Sequence, residues 1–282
     1  MNVFVTGATG RIGSRFVPRL LQHSHSARVL ARRPESVEFL KQKGAEVVKG
    51  DLLEPSIWVP ALRGVDAVVH LAAFFRPPAS PAETREINVK GTDLLAQEAV
   101  NAGVRRFVYA SSNAVYGQGL GRPFREDDTP RPPDAAYPAS KVMAETSLLA
   151  LQRQEAIDLC ILRFPFVYGD GDPHLAELPR FIKAWNPAKR MQMAHHADVS
   201  QALLRGLHTP GIRGAIYNIA DDAPMTAQEL VQLLALPELP EANSSLPYDP
   251  WEMIVDTSKA RREIGFRPIY PTFYSAIDAG VL

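Results

Sequence analysis

Apolar positions along the first two thirds of the chain fall into two alternating patterns. Short continuous runs at Val3-Phe4-Val5, Ala27–Ala31, Glu46–Lys49, Asp66–Ala73, Arg106–Ala110 and Leu159–Leu162 predict buried strands. Between them, apolar residues recur at helical spacing. Ile12–Gln22 carries Ile12, Phe16, Val17, Leu20 and Leu21; Ser36–Lys43, Thr84–Ala102 and a segment opening at Tyr137 and running to about Gln154 follow the same pattern. Strand and helix in strict alternation predict an α/β fold, a doubly wound, mostly parallel sheet with helices on both faces. From Pro173 the alternation stops. Leu178–Trp185 and Ala197–Leu207 read as helices, and Ala215–Ile219 as a strand able to return to the sheet. Thr226 caps Ala227–Leu234 with Glu229 at capping-box spacing, and Ser258–Ile264 is a last short helix.

The first strand runs straight into Thr6-Gly7-Ala8-Thr9-Gly10-Arg11-Ile12-Gly13, and the first helix follows. A glycine-rich turn between strand and helix is the context that dinucleotide binding requires. Gly7 allows the tight turn, Gly10 lets backbone approach a pyrophosphate, and Gly13 lets helix and strand pack closely. The helix N-terminus offers free N–H groups and a partial positive charge.

The end of the second strand adds a preference. Arg32 and Arg33 stand where this fold faces the adenosine ribose, and neither position is a carboxylate. Arginine there binds a 2′-phosphate, so the pair points to NADP. After the third strand, Asp51 could accept from an adenine amino group or cap the next turn. The fourth strand ends in the small residues Ala72 and Ala73, which leave room for a ligand. His70 has no visible partner and reads as a packed histidine. Phe74-Phe75-Arg76-Pro77-Pro78 is a loop whose aromatics could touch substrate. Asn88 and Gly91 are unfavourable inside a helix, so each is expected to face something close. Tyr137 and Lys141, four apart, share one helix face.

Charge and composition narrow the partners. The chain has 282 residues, with 31 basic and 31 acidic side chains giving zero formal charge, so nothing argues for nucleic acid or an anionic membrane. No apolar run approaches the ~20 residues of a membrane span, and no signal peptide is evident. The one cysteine, Cys160, lies in a strand-like run and reads as buried and structural, which fits a reducing cytoplasm. No metal site is expected, since His195 and His196 are adjacent rather than at i,i+4 spacing.

Taken together, the chain resembles the extended short-chain dehydrogenase/reductases, the NAD-dependent epimerase/dehydratase-like group. The resemblance is carried by Thr6–Gly13, Gly50-Asp51-Leu52, His70–Ala73, Asn88–Thr92, Ser111–Gly117, Tyr137–Lys141, Arg163–Gly169, His195–Val199 and Asp256–Gly265. It implies a catalytic set of Ser112, Tyr137 and Lys141. It implies cofactor contacts from Gly7, Thr9, Gly10, Arg11, Ile12, Gly13, Arg32, Arg33, Asp51, Leu52, Leu71, Ala72, Ala73, Asn88, Ala110, Ser111, Tyr137, Lys141, Phe164, Pro165 and Val167. Substrate contacts fall on Phe74, Phe75, Ser112, Asn113, Tyr116, Phe166 and Arg190. The dinucleotide-binding domain is expected over 1–163 and a substrate lobe mainly over 164–282, with 215–219 returning to the sheet. The resemblance also implies a homodimer through Thr84–Ala102 and Tyr137–Gln154.

The chemistry suits those residue types. Free tyrosine, with pKa about 10, is a poor base at neutral pH. A lysine cation beside it favours phenolate, and a serine hydroxyl can hold the reacting oxygen. The expected activity is hydride transfer between NADP (alternatively NAD) and a carbonyl or secondary alcohol. A nucleotide-sugar epimerase or dehydratase with tightly held NAD is the alternative, and a non-catalytic cofactor sensor is a third class. Two departures weigh against a nucleotide sugar. Arg32 replaces the usual acidic residue, and the segment between Arg180 and His195 is short, with Arg190 one position away from the family's diphosphate arginine.

Overall fold

The structure is a computed structural model and describes residues 1–75, 80–154 and 157–282. The Arg76-Pro77-Pro78 part of the aromatic loop lies outside the described residues. Seven strands form the central sheet: β1 (Asn2–Thr6), β2 (Ser26–Ala31), β3 (Glu46–Lys49), β4 (Ala67–His70), β5 (Arg106–Ser112), β6 (Asp158–Phe164) and β7 (Ala215–Asn218). They lie in the order β7-β6-β5-β4-β1-β2-β3, and every neighbouring pair is parallel. The chain reverses its winding between β1 and β4. At such a switch point the two flanking loops diverge and open a crevice at the carboxyl ends of the strands.

Period-two alternation sends successive side chains to opposite faces. Val3, Val5, Val29, Val69 and Val108 face α1 (Arg11–Gln22), while Phe4, Leu30, Val68, Phe107 and Ile161 face the other way. That second face is covered by α2 (Gly91–Asn101) and α3 (Ala136–Arg153). Both faces are therefore dry, which is why the strands read as continuous apolar runs. Helix α4 (His196–His208) packs beside α1 through Val199, Leu203 and Leu207. A separate apolar cluster, centred on Tyr168, Ile182, Met193, Leu230 and Phe273, lies in the C-terminal part of the chain.

The long helix expected over Thr84–Ala102 is not uniform. A capping box at Ser80 and Glu83 starts a helix at Pro81, Glu86–Lys90 forms a π-helical turn, and α2 continues from Gly91. The Ser36–Lys43 helix is a 3-10 turn at Pro34–Val37 followed by Glu38–Gln42. Leu178–Trp185 is helical only over Pro179–Ile182, after a short helix at His174–Glu177, because Pro179 has no N–H to continue the ladder. The fourth strand stops at His70, and Leu71–Ala73 leave the sheet as loop.

Candidate active site

The glycine turn is built for two different purposes. Gly7 has φ +73, and a Cβ there would stand 2.5 Å from the Ala72 nitrogen. A Cβ on Gly13 would run into the Gly7 carbonyl oxygen and stand 2.7 Å from the Ala8 Cα. The protein itself requires both glycines, to bring β1, β4 and α1 together. Gly10 differs. It has φ −78 and ψ 173, ordinary extended backbone, and an added Cβ would meet only the Gly7 oxygen, at 3.1 Å. A side chain at Gly10 would need the Gly7 oxygen to give by only a few tenths of an ångström, and the space beyond it is open to a ligand at the α1 N-terminus. The cradle fits a dinucleotide pyrophosphate. Thr9 is exposed beside it and Ile12 packs partly into the core. The Arg11 side chain turns away to Asp172 at 3.2 Å and Glu177 at 2.8 Å, tying the turn to the segment after β6.

At the end of β2, Arg32 and Arg33 are both exposed. The Arg32 guanidinium lies 3.8 Å from the Asp51 carboxylate, whose other oxygen accepts from the Leu53 N–H at 3.0 Å. Asp51 therefore caps its turn, one of the two roles left open by sequence. Leu52 is buried beneath it, within 2.8 Å of where a Gly91 Cβ would stand, which explains that glycine inside a helix.

The residues proposed for chemistry meet at the carboxyl end of β5. Ser112 ends the strand, in register with Phe164 on β6. Tyr137 and Lys141 lie in the first turns of α3, which packs along β5. Burial pushes the Tyr137 phenol up to about 12, with the neighbouring Ser112 hydroxyl opposing. Burial brings the Lys141 ammonium down to about 7, with Glu145 opposing. Lys141 Nζ donates to the Ala110 carbonyl at 2.8 Å and to the Tyr109 hydroxyl at 3.2 Å, and stands 4.6 Å above the Tyr109 ring. Its distance to the Tyr137 ring is 5.7 Å. The structure thus brings Ser112, Tyr137 and Lys141 together, with the lysine docked on Tyr109, a residue that sequence reasoning passed over as part of a strand.

Behind this group runs a buried relay. Thr92 donates to the Asn88 carbonyl at 2.7 Å, so it receives the His70 Nε2–H at 2.9 Å; His70 Nδ1 then accepts from the Thr6 hydroxyl at 2.6 Å. His70 is wholly buried, and burial takes it down to about 3, so it is neutral. It is packed, as expected, but its ring is bonded to two side-chain hydroxyls rather than to backbone. The Asn88 amide, in the π-helical turn, accepts from the Phe74 N–H at 2.6 Å and donates to the Phe74 carbonyl at 3.1 Å and to Ser140 Oγ at 3.0 Å. It fastens the loop after β4 to the helix that carries Tyr137. Phe75 on that loop packs on the Tyr137 ring, with centroids 4.6 Å apart.

Several residues assigned to ligands are engaged inside the protein. Ser111 Oγ donates to Glu145 at 2.5 Å, and Glu145 is paired with the buried Arg163. Tyr116, with no exposed surface, accepts from Arg163 at 2.6 Å and donates to Asn218 at 2.8 Å. Asn113 donates to the Met253 carbonyl. Arg190 donates to the Pro250 carbonyl and lies 4.8 Å above the Trp251 ring. Leu71, Ala72 and Ala73 line the loop at the switch point, and Ala110, Phe164, Pro165, Val167 and Phe166 lie at the ends of β5 and β6 or just beyond. Cys160 is buried, its thiol pushed up to about 12.

The signal for Glu145 was present in the sequence. Tyr137, Lys141 and Glu145 are spaced four apart and share one face of α3. Removing one partner of a buried ion pair leaves the other charge unpaired. Glu145→Ala should therefore lower stability by about 3–5 kcal/mol, read as a shift in the urea unfolding midpoint. A loss near zero would show that Arg163 does not need this partner.

Among the described residues, no helix is long and apolar enough to cross a membrane, and no group of three or more His, Cys, Asp or Glu could hold a metal ion. A model of the NAD dependent epimerase/dehydratase family matches residues 3–220. The 4-hydroxy-2-methyl-3-oxo-4-farnesyl-3,4-dihydroquinoline-1-oxide ketoreductase of Stigmatella aurantiaca is 30% identical over 247 residues, spanning 83% of this chain and 72% of that protein. A short-chain dehydrogenase/reductase superfamily protein from Agrobacterium tumefaciens, solved with bound NAD, matches with TM-score 0.82 and 26% identity over 99% of this chain and 95% of that one. MoeE5 in complex with UDP-glucuronic acid and NAD matches with TM-score 0.79 and 28% identity, over 98% and 95% of the two chains. With the glycine turn, the switch-point crevice and a family match over most of its length, this chain belongs to the NAD dependent epimerase/dehydratase family.

Proposed function

We propose that the protein is an NAD(P)-dependent reductase of a carbonyl group, with Ser112, Tyr137 and Lys141 as its catalytic residues. The observation that supports this most directly is the convergence of the three at the end of β5, on the crevice that opens beside Gly10. A bound nicotinamide would supply the hydride. The Gly10 turn and the α1 N-terminus would hold its pyrophosphate, and Leu71–Ala73 and Phe164–Val167 would flank its nicotinamide end. Ser112 donates a hydrogen bond to the carbonyl oxygen and keeps it within reach of the phenol. Tyr137 gives its proton to that oxygen as charge develops there. Burial pushes its phenol up to about 12, so it carries the proton that it gives. Lys141, lodged close by on Tyr109 and Ala110, stabilises the phenolate left behind when it carries its proton.

The same reading assigns a preference for NADP. Arg32 is 73% exposed at the ribose end of β2, free to meet a 2′-phosphate. A charged hydrogen bond of about 1.5–3 kcal/mol corresponds to roughly a 10- to 150-fold preference. The nearby Asp51 carboxylate places the expected value at the lower end. Salt should reduce the preference, and Arg32→Asp should reverse it by adding repulsion. Calorimetric titration of both cofactors into wild type and Arg32→Asp reads this directly. Tighter wild-type binding of NAD would defeat it and place the epimerase or dehydratase reading first.

A further inference from the structure

Resting on the reductase reading, we propose that the substrate is a flat, apolar, ring-bearing ketone rather than a nucleotide sugar, held between Phe75 and a second aromatic group formed by Phe166, His174 and Phe181. Phe75 lies against the Tyr137 ring and is 55% exposed. Phe166 follows β6 two residues beyond Phe164, which pairs with Ser112, so it stands at the same end of the sheet. The His174 ring stacks on Phe166 at 3.9 Å with planes 18° apart. Phe181 meets both edge-on, at 6.5 Å and 6.2 Å, and is 41% exposed. Phe75 leaves its face in solvent beside Tyr137, and Phe181 leaves its own beside Phe166 at the same end of the sheet; such faces mark surface that an apolar ligand covers. Burial holds the His174 imidazole below its usual value, and its Nδ1 is bonded to the Val167 carbonyl at 2.9 Å, so the stack is uncharged at neutral pH.

The cations of the α1 turn and of the C-terminal segment support the same class. A nucleotide diphosphate carries two negative charges that need unengaged donors. Arg11 is held by Asp172 and Glu177, Lys189 by Glu252 at 2.8 Å, and Arg190 by the Pro250 carbonyl and the Trp251 ring. Arg180 and Lys183 neighbour Phe181 in sequence, but helical geometry sets them about 100° and 200° round the axis from it.

The test separates binding from turnover. 2-Tetralone, a benzo-fused cyclic ketone, and UDP-glucose are titrated by calorimetry into protein loaded with oxidised dinucleotide, which cannot reduce the ketone; oxidation of UDP-glucose, read as reduced-dinucleotide absorbance, would count against the proposal. 2-Tetralone should bind at least about tenfold more tightly than UDP-glucose. Phe166→Ala and Phe181→Ala should each weaken it by about tenfold, and Phe166→Leu, which keeps the volume, by less. Tighter binding of UDP-glucose, no binding of 2-tetralone, or affinities unmoved by both truncations would overturn the proposal. Dinucleotide oxidation with a small hydroxyketone would keep the reductase reading in those cases. Tight binding of 2-tetralone without reduction by the reduced cofactor supports the ring-binding surface and rejects the reductase reading instead.

Discussion

Tyr137→Phe is expected to lower kcat by roughly 10²- to 10⁴-fold, the range over which a positioned proton donor acts, with dinucleotide affinity nearly unchanged. The substitution removes one oxygen and leaves the ring, which keeps its packing against Phe75. No other phenol can substitute. Tyr109 is wholly buried, and its hydroxyl receives the Lys141 ammonium, while Tyr116 is enclosed by Arg163 and Asn218. The measurement is steady-state dinucleotide oxidation with any accepted carbonyl compound, beside calorimetric titration of the cofactor. A Phe variant that turned over at the wild-type rate would remove Tyr137 from the mechanism and leave Ser112 and Lys141 without a proton donor between them.

Gly10→Val should abolish cofactor binding while the protein still folds. The backbone at Gly10 is extended, a conformation valine favours, and its Cβ would meet only one protein atom, at 3.1 Å. The branched side chain would instead fill the cradle. Losing even two charge-assisted N–H bonds to a pyrophosphate, at about 1.5–3 kcal/mol each, weakens affinity by 100-fold or more. Gly13→Val is the contrasting control. Its Cβ collides with the Gly7 carbonyl oxygen and lies 2.7 Å from the Ala8 Cα, so it should lower the unfolding temperature as well. Unchanged dinucleotide affinity in folded Gly10→Val, by calorimetry and circular dichroism, would show that the pyrophosphate sits elsewhere.

The sequence by itself determined the layered α/β plan, because that information is local. Strand faces follow from period-two alternation about Val3-Phe4-Val5 and Val68-Val69, and helix faces from period 3.6 over Ile12–Gln22. The glycine turn was equally legible, since strand, turn and helix are contiguous. The pairing of Tyr137 with Lys141 needed only one helix turn. The helix expected over Thr84–Ala102 is there, but periodicity alone did not show its π-helical turn at Glu86–Lys90, marked in sequence only by the unfavourable Asn88.

Tertiary structure decided what depends on partners distant in sequence. Arg11 looked like a cofactor residue until Asp172 and Glu177, more than 160 positions away, came within ion-pair distance. Ser111 and Tyr116 carry the same hydroxyls that bind ligands, yet the buried Glu145–Arg163 pair needs those hydroxyls for its remaining hydrogen bonds. Lys141 reads as Tyr137's partner at i+4, but desolvation makes the ammonium take the nearest acceptors, and folding supplies the Ala110 carbonyl and the Tyr109 hydroxyl. The return of β7 beside β6, and of α4 beside α1, likewise follows from burying apolar faces on a sheet that earlier segments have already built. A side chain's type sets which bonds it can make. Which bond it makes is settled by the groups that close burial brings against it.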